Sequence, residues 1–172
     1  DIQGLKIRVI QIPIVIDTFN ALGANAVPMP LPEVYTALET GAVDGQENPY
    51  ALIESSKYQE VQKYITTTRH IYNPLVVLFS KKTWEKMSED EHLILREAAA
   101  EATAYERKVS RETNVAALEK LKKDGMTVTE FPTAETGRMR DKLKPVADKY
   151  AQEVGEPLMK EMLAEIEKVR GR

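Results

Sequence analysis

The order of apolar and polar positions predicts alternating strands and helices over the first part of the chain. LKIRVI, residues 5–10, alternates charged and β-branched residues as a half-buried strand does. DTFNALG, residues 17–23, predicts a short helix stopped by Gly23. NAVPMP, residues 25–30, is extended, because its prolines cannot sit inside a helix. PEVYTALETG, residues 32–41, predicts a helix with Pro32 near its first turn and Gly41 beyond its last. AVDGQ, residues 42–46, reads as a third strand. Residues 49–64 then predict a helix opened by Pro49, with Asn48 as its N-cap. YITTTRHIY, residues 64–72, is β-branched and aromatic enough for a fourth strand. The connections are too long for hairpins, so the strands should be parallel members of an α/β sheet.

The pattern changes after Asn73-Pro74. NPLVVLFS, residues 73–80, is a short apolar strand that should be buried on both faces. Ser88 and Glu91 have the spacing of a capping box, and no glycine or proline follows until Gly125. A helix of about 35 residues would be about 50 Å long, more than the diameter of a small domain. It should therefore span two lobes or project. MTVTEFP, residues 126–132, predicts one more strand. The tail from Thr133 to Val169 is helical, with breaks expected at Pro145 and at Gly155-Glu156-Pro157.

Composition narrows the chemistry. With 172 residues, 42% hydrophobic, the chain can bury a core, and its net charge of −3 comes from interspersed acids and bases. That argues against a nucleic-acid partner, which requires a basic stripe. No apolar run approaches the roughly 20 residues of a membrane span. The absence of cysteine excludes thiol catalysis, cysteine-based zinc sites and disulfides. No signal peptide is visible, and DIQGLKIRV opens as a strand already under way, which suggests a fragment or a processed product.

Few residues carry candidate chemistry. Asp44 and Glu47 could form a general acid/base pair, but three residues apart across a strand end they point in different directions. His70 and His92 lie on different predicted elements without ligand spacing, and no phosphate-cradling glycine motif is present, so no metal or nucleotide cofactor is expected. Arg8 falls near a strand's C-terminal end, as do Glu47, Asn48 and His70. In open α/β sheets ligands bind just outside the carboxyl ends of the strands. A guanidinium fork suits a carboxylate bidentately. Each residue also has a plain structural role open to it. Arg8 can be a surface strand residue, Asn48 a helix cap, His70 a hydrogen-bonded structural histidine, and Tyr35 a core residue.

GLKIRV, ALGANAVPMPLPEVYTALETGAVDGQENP and KYQEVQKYITTTRHIYNP together resemble the DctP-type solute-binding proteins of TRAP transporters. The blocks stand in the family's order and spacing, and the resemblance runs to the tail. It covers the C-terminal half, or slightly more, of a family member. It implies a periplasmic-binding-protein-like two-lobed α/β fold. Residues 1–73 would form the first segment of the second lobe, 74–113 a first-lobe segment with the start of the long helix, and 114–172 the return. It also implies a periplasmic protein that captures a small organic acid, such as a C4-dicarboxylate, and delivers it to a sodium-coupled permease. By the same resemblance Arg8 pairs with the ligand carboxylate and Asn48 contacts the ligand. Gln11, Leu31 and His70 match pocket-lining positions, with Glu47 as a polar wall. Leu31 replaces a commonly aromatic residue and Pro32 a commonly polar one. Arg69 stands where other members can carry an uncharged residue.

The run at 73–80 would then lack part of its sheet in an isolated monomer. It would be covered by a separate N-terminal lobe segment or by a second copy, because an apolar edge invites aggregation. Two other classes stay open from the residues themselves: an α/β enzyme using Asp44 or Glu47 as a base, and a sensory module that reuses a binding fold.

Overall fold

The computed structural model describes residues 2–170 and contains two small parallel sheets edged by helices. Strand β1 (Lys6–Val9) lies between β2 (Asn25–Pro28) and β3 (Gly45–Gln46), parallel to both, with Arg8 opposite Val27 on one side and Gln46 on the other. A second pair, β4 (Tyr64–Thr66) and β5 (Thr127–Thr129), is also parallel, with Ile65 opposite Val128. The connections are right for this. Helix α1 (Pro13–Leu22) returns the chain from β1 to β2, and α2 (Val34–Glu39) lies between β2 and β3.

Two apolar clusters follow from the strand alternation. Ile7 and Val9 on β1 pack with Val15, Phe19 and Ala24 on the α1 side. Val34 and Leu38 of α2 pack with Val43, Ile53, Tyr58, Ile65, Leu121 and Met126. Beyond the short helix α4 (Lys81–Trp84), Leu121 belongs to α5 (Glu89–Lys123), the 35-residue helix, so the long helix reaches the core through its C-terminal turns. Its start is the capping box expected from the sequence. Ser88 Oγ accepts from the Glu91 amide, and the Glu91 carboxylate accepts from the Ser88 amide at 2.7 Å. A clasp ties α6 (Thr133–Val154) to α1: Lys149 and Tyr150 both donate to the Asp17 carboxylate, at 2.6 and 2.8 Å. These two bonds, Lys149 first, hold the Asp17 carboxyl below its ordinary pKa.

Several elements differ from expectation. Helix α1 starts at Pro13 rather than Asp17, because Pro13 supplies a preset first turn. The helix expected over 49–64 is shorter. It runs only as α3 (Tyr50–Ser55), then Lys57 takes a left-handed φ of 58° and a 3₁₀ turn at Tyr58–Glu60 buries Tyr58. Asn48 does not cap it. The N-cap position is Pro49, and the Asn48 side chain turns to Gln46 instead. The fourth strand ends at Thr66, opposite Thr129, where its partner β5 ends as well. Pro145 does not interrupt α6, which continues to Val154 before Gly155 separates it from α7 (Glu156–Arg170).

The largest departure is the run at 73–80. It forms no strand, and its side chains are not buried: Leu75 is 84% exposed and Leu78 86%. Among the described residues no strand lies beside it to accept its backbone hydrogen bonds, and β4 pairs only with β5. Sequence pattern alone cannot supply a partner strand.

Leu121 is fully buried while Val115, less than two turns before it, is 67% exposed. In urea denaturation of the full-length protein, Leu121→Ala should lower stability by about 2–5 kcal/mol. Val115→Ala should stay within about 0.5 kcal/mol of the parent.

Candidate functional site

The parallel sheet brings the ends of β1, β2 and β3 to one edge, and a cleft of 2020 Å³ opens there. Arg8 is the buried charge of that edge, only 3% exposed. Period-two alternation turns it away from Ile7 and Val9, which enter the core. Its Nε and Nη2 donate to the Met29 carbonyl, at 3.0 and 2.5 Å. Met29 is held in turn by its amide, which donates to the Val9 carbonyl at 3.2 Å. The neighbouring strand therefore fixes one edge of the guanidinium. Nη1 has no protein hydrogen bond among the described residues, and the guanidinium makes no ion pair with a carboxylate among them. The structure removes the plain reading of Arg8 as a surface strand residue.

The loop after β3 supplies the next wall. Gln46 and Asn48 are joined by a 2.6 Å bond from Asn48 Nδ2 to Gln46 Oε1, which leaves the Asn48 carbonyl oxygen for other use. Glu47, between them, faces His70, with Oε2 and Nε2 3.5 Å apart. That is ion-pair range but too long for a good hydrogen bond, and His70 Nε2 is buried with no hydrogen-bond partner. The other ring nitrogen, Nδ1, is 2.7 Å from Thr68 Oγ1, and Phe19 meets the ring edge-on at 5.4 Å. The imidazole is thus held on two sides.

What aims this loop is a hydroxyl. Buried Thr67 donates from Oγ1 to Glu130 at 2.7 Å, and the same oxygen accepts from the Phe131 amide at 3.2 Å. Its own amide donates to the Thr129 carbonyl. Thr67 thus pins the chain leaving β4 to the chain leaving β5, and residues 68–70 project over the cleft.

All six residues singled out in the sequence, Arg8, Gln11, Leu31, Glu47, Asn48 and His70, line this one cleft. Gln11 sits at the bend before α1, and Leu31 opens the 3₁₀ turn Leu31–Glu33 after Pro30. Asp44 belongs to a different job. Its carboxylate accepts the Lys6 amide at 2.7 Å, and its own amide donates to the Lys6 carbonyl, so it closes the β1–β3 edge. Sequence reasoning missed Asn114 and Tyr50. Asn114, on α5, reaches the cleft and accepts the Ala51 amide at 3.4 Å, the capping role expected of Asn48. Only a tertiary contact between α3 and α5 could reveal it. Tyr50 lines the cleft with a phenol pushed up by burial. Among the described residues no group of three or more acidic or histidine side chains could hold a metal ion. No described helix is long and apolar enough to cross a membrane.

The model of the DctP family, bacterial extracellular solute-binding protein family 7, matches residues 1–153. A TRAP periplasmic solute-binding protein from Ochrobactrum anthropi, with its C-terminus bound in the ligand-binding pocket, is 55% identical at a TM-score of 0.94. That match covers 99% of this chain and 53% of that one. The sugar acid-binding protein of Advenella mimigardefordensis, in complex with galactonate, is 43% identical at a TM-score of 0.87, covering 98% of this chain and 54% of that one. The 2,3-diketo-L-gulonate-binding periplasmic protein of Escherichia coli is 40% identical over 128 residues, 74% of this chain and 39% of that protein. The chain spans about half the length of the relatives it matches.

Because Asp44 holds a backbone amide, Asp44→Ala should cost about 1 kcal/mol of stability in urea denaturation. Asp44→Asn, which keeps an acceptor oxygen, should recover most of that loss.

Proposed function

The chain belongs to the DctP family of bacterial extracellular solute-binding proteins, and from that premise we propose that it captures a small organic acid and delivers it to a sodium-coupled TRAP permease in the membrane. The capture occurs outside the cytoplasm, in the periplasm. The observation that carries this reading is the state of Arg8, a buried guanidinium with one edge fixed and no ion pair among the described residues. A buried charge is costly unless paired, and a bound carboxylate is the counter-ion that supplies the pair. The Nη1–Nη2 edge is the one left to receive it, since Nε and Nη2 already serve Met29.

The other cleft residues complete the pocket in this reading. Asn48, tethered to Gln46, orients the ligand through its free carbonyl oxygen. Glu47 and His70 form a polar wall, while Gln11 and Leu31 close the side beside α1 and the 3₁₀ turn. Six-carbon sugar acids are the first ligands to test, given the galactonate and 2,3-diketo-L-gulonate named for two relatives. The cleft here, at 2020 Å³, is larger than the roughly 300–1,000 Å³ of a small-ligand site. The first lobe closing over it would bring the space to that size. The same lobe would cover Leu75–Leu78 and give residues 74–113 their missing sheet. The Asp44 carboxylate accepts the Lys6 amide through Oδ2, which supports a structural role for it rather than that of a base.

Binding at micromolar strength corresponds to about −8 kcal/mol. A thermal-shift screen of organic acids on the full-length protein should find a stabilising ligand, worth about 2.7 kcal/mol at one hundred times its Kd. With that ligand, calorimetry should show Arg8→Ala losing about 2–5 kcal/mol of binding. Arg8→Lys should also bind poorly, since an ammonium cannot reproduce the fork. Wild-type affinity in Arg8→Ala contradicts the anchor role. The ligand should be recovered chemically unchanged after incubation; turnover lost in Glu47→Gln would instead establish an enzyme.

A further inference from the structure

Arg69 stands between Thr68 and His70 on the loop that overhangs the cleft, and it lines the cleft with them. Unlike those neighbours, it has no partner. Among the described residues its guanidinium makes no ion pair and no side-chain hydrogen bond, whereas four of the carboxylates lining the cleft are engaged. Glu47 faces His70, Glu130 accepts from Thr67, Asp44 accepts the Lys6 amide, and Glu135 pairs with Arg138. Arg69 and Arg8 are thus two of the lining cations that make no ion pair with a carboxylate among the described residues. Lys63 and Arg111 line the cleft as well and also make no ion pair among the described residues, but Lys63 leads directly into β4 and Arg111 sits within a continuous helix.

The backbone at Arg69 sets it apart further. Its φ is 48°, in the left-handed region, and the only other non-glycine residue there among those described is Lys57. Lys57 has a local reason, since it joins the end of α3 to the following 3₁₀ turn. Arg69 joins no such elements; the chain from Thr67 to Ser80 is irregular. A long side chain held in a conformation that glycine or asparagine would adopt more easily points to a use for the side chain. Its charge is also felt at the wall. Burial pushes the Tyr50 phenol up, Arg69 pulls it down, and Glu130 pushes it up again.

We propose that Arg69 is a specificity-determining residue that holds a second anionic group of the ligand, away from the end taken by Arg8. The cleft then prefers a diacid over a mono-acid of the same skeleton. This rests on the reading of the cleft as an acid-binding site. A dianion would neutralise both guanidinium groups, whereas a mono-acid leaves Arg69 solvated and unused. Because Arg69 is exposed and Arg8 buried, the Arg69 contribution should be the more sensitive to salt.

Galactonate and galactarate test this, because they share a six-carbon skeleton and differ in a second carboxylate replacing a primary alcohol. Calorimetry on the full-length protein should show wild type binding galactarate more tightly, with the preference shrinking as ionic strength rises. Arg69→Gln should lose about tenfold or more in galactarate affinity, about 1.4 kcal/mol, and less than about threefold for galactonate. Arg69→Gly, which relieves the left-handed backbone and so folds without strain, should show the same selective loss. Equal losses for the two acids, or no loss for either, in both folded variants overturn the proposal. If Arg8→Ala abolishes binding of both acids while the Arg69 variants change neither, the role of Arg69 fails and the anchor stands. Wild-type protein that binds neither acid overturns this inference, and the acid-cleft reading falls with it only if the organic-acid screen also finds no stabilising ligand.

Discussion

The site depends on one constraint: a guanidinium charge held almost out of water at the end of a parallel strand. Arg8 occupies a position that strand alternation turns away from the apolar residues on either side. The Met29 carbonyl satisfies two of its donors and fixes its plane, but a neutral carbonyl offsets only part of the cost of desolvating a full charge. In the proposed function the arrangement is preorganised for a bound anion, since no carboxylate among the described residues pairs with it. Preorganisation reduces the ordering cost of binding, so more of the ion-pair energy appears as affinity.

The rest of the fold places polar groups around that charge. Parallel pairing puts the carboxyl ends of β1, β2 and β3 on one edge, and the loops leaving them carry Gln11, Leu31, Glu47 and Asn48. The second sheet contributes from the opposite side. Thr67 binds β5's exit through three hydrogen bonds, counting its amide, and so projects Thr68, Arg69 and His70. The long helix α5 links these parts, packing Leu121 into the main core and presenting Asn114 to the start of α3. In this account binding energy comes from few residues, and the helices serve to keep them registered.

Much of this was legible from the sequence, and the failures have physical causes. Local signals were reliable where the residue itself sets the backbone: the Ser88–Glu91 box, the stop at Gly23, and the helix break at Gly155. Convergence of Arg8, Glu47, Asn48 and His70 followed from their places at strand ends together with a family resemblance. Asn48 was misjudged as a cap because a good N-cap residue beside Pro49 says nothing about competing side-chain partners, here Gln46. The true acceptor for the Ala51 amide, Asn114, is 63 residues away. Residues 73–80 were misjudged because an apolar β-branched run specifies a strand only where a neighbouring strand exists. Without a partner strand among the described residues, Leu75–Leu78 are irregular and exposed. Pro145 was tolerated within α6, which local rules would have broken.

The most direct test of the central claim is a crystal structure of the full-length protein with its acid bound. The account predicts a ligand carboxylate against the Nη1–Nη2 edge of Arg8, with Nε and Nη2 still donating to the Met29 carbonyl. A carboxylate held elsewhere, with Arg8 bonded to Met29 alone, would contradict it.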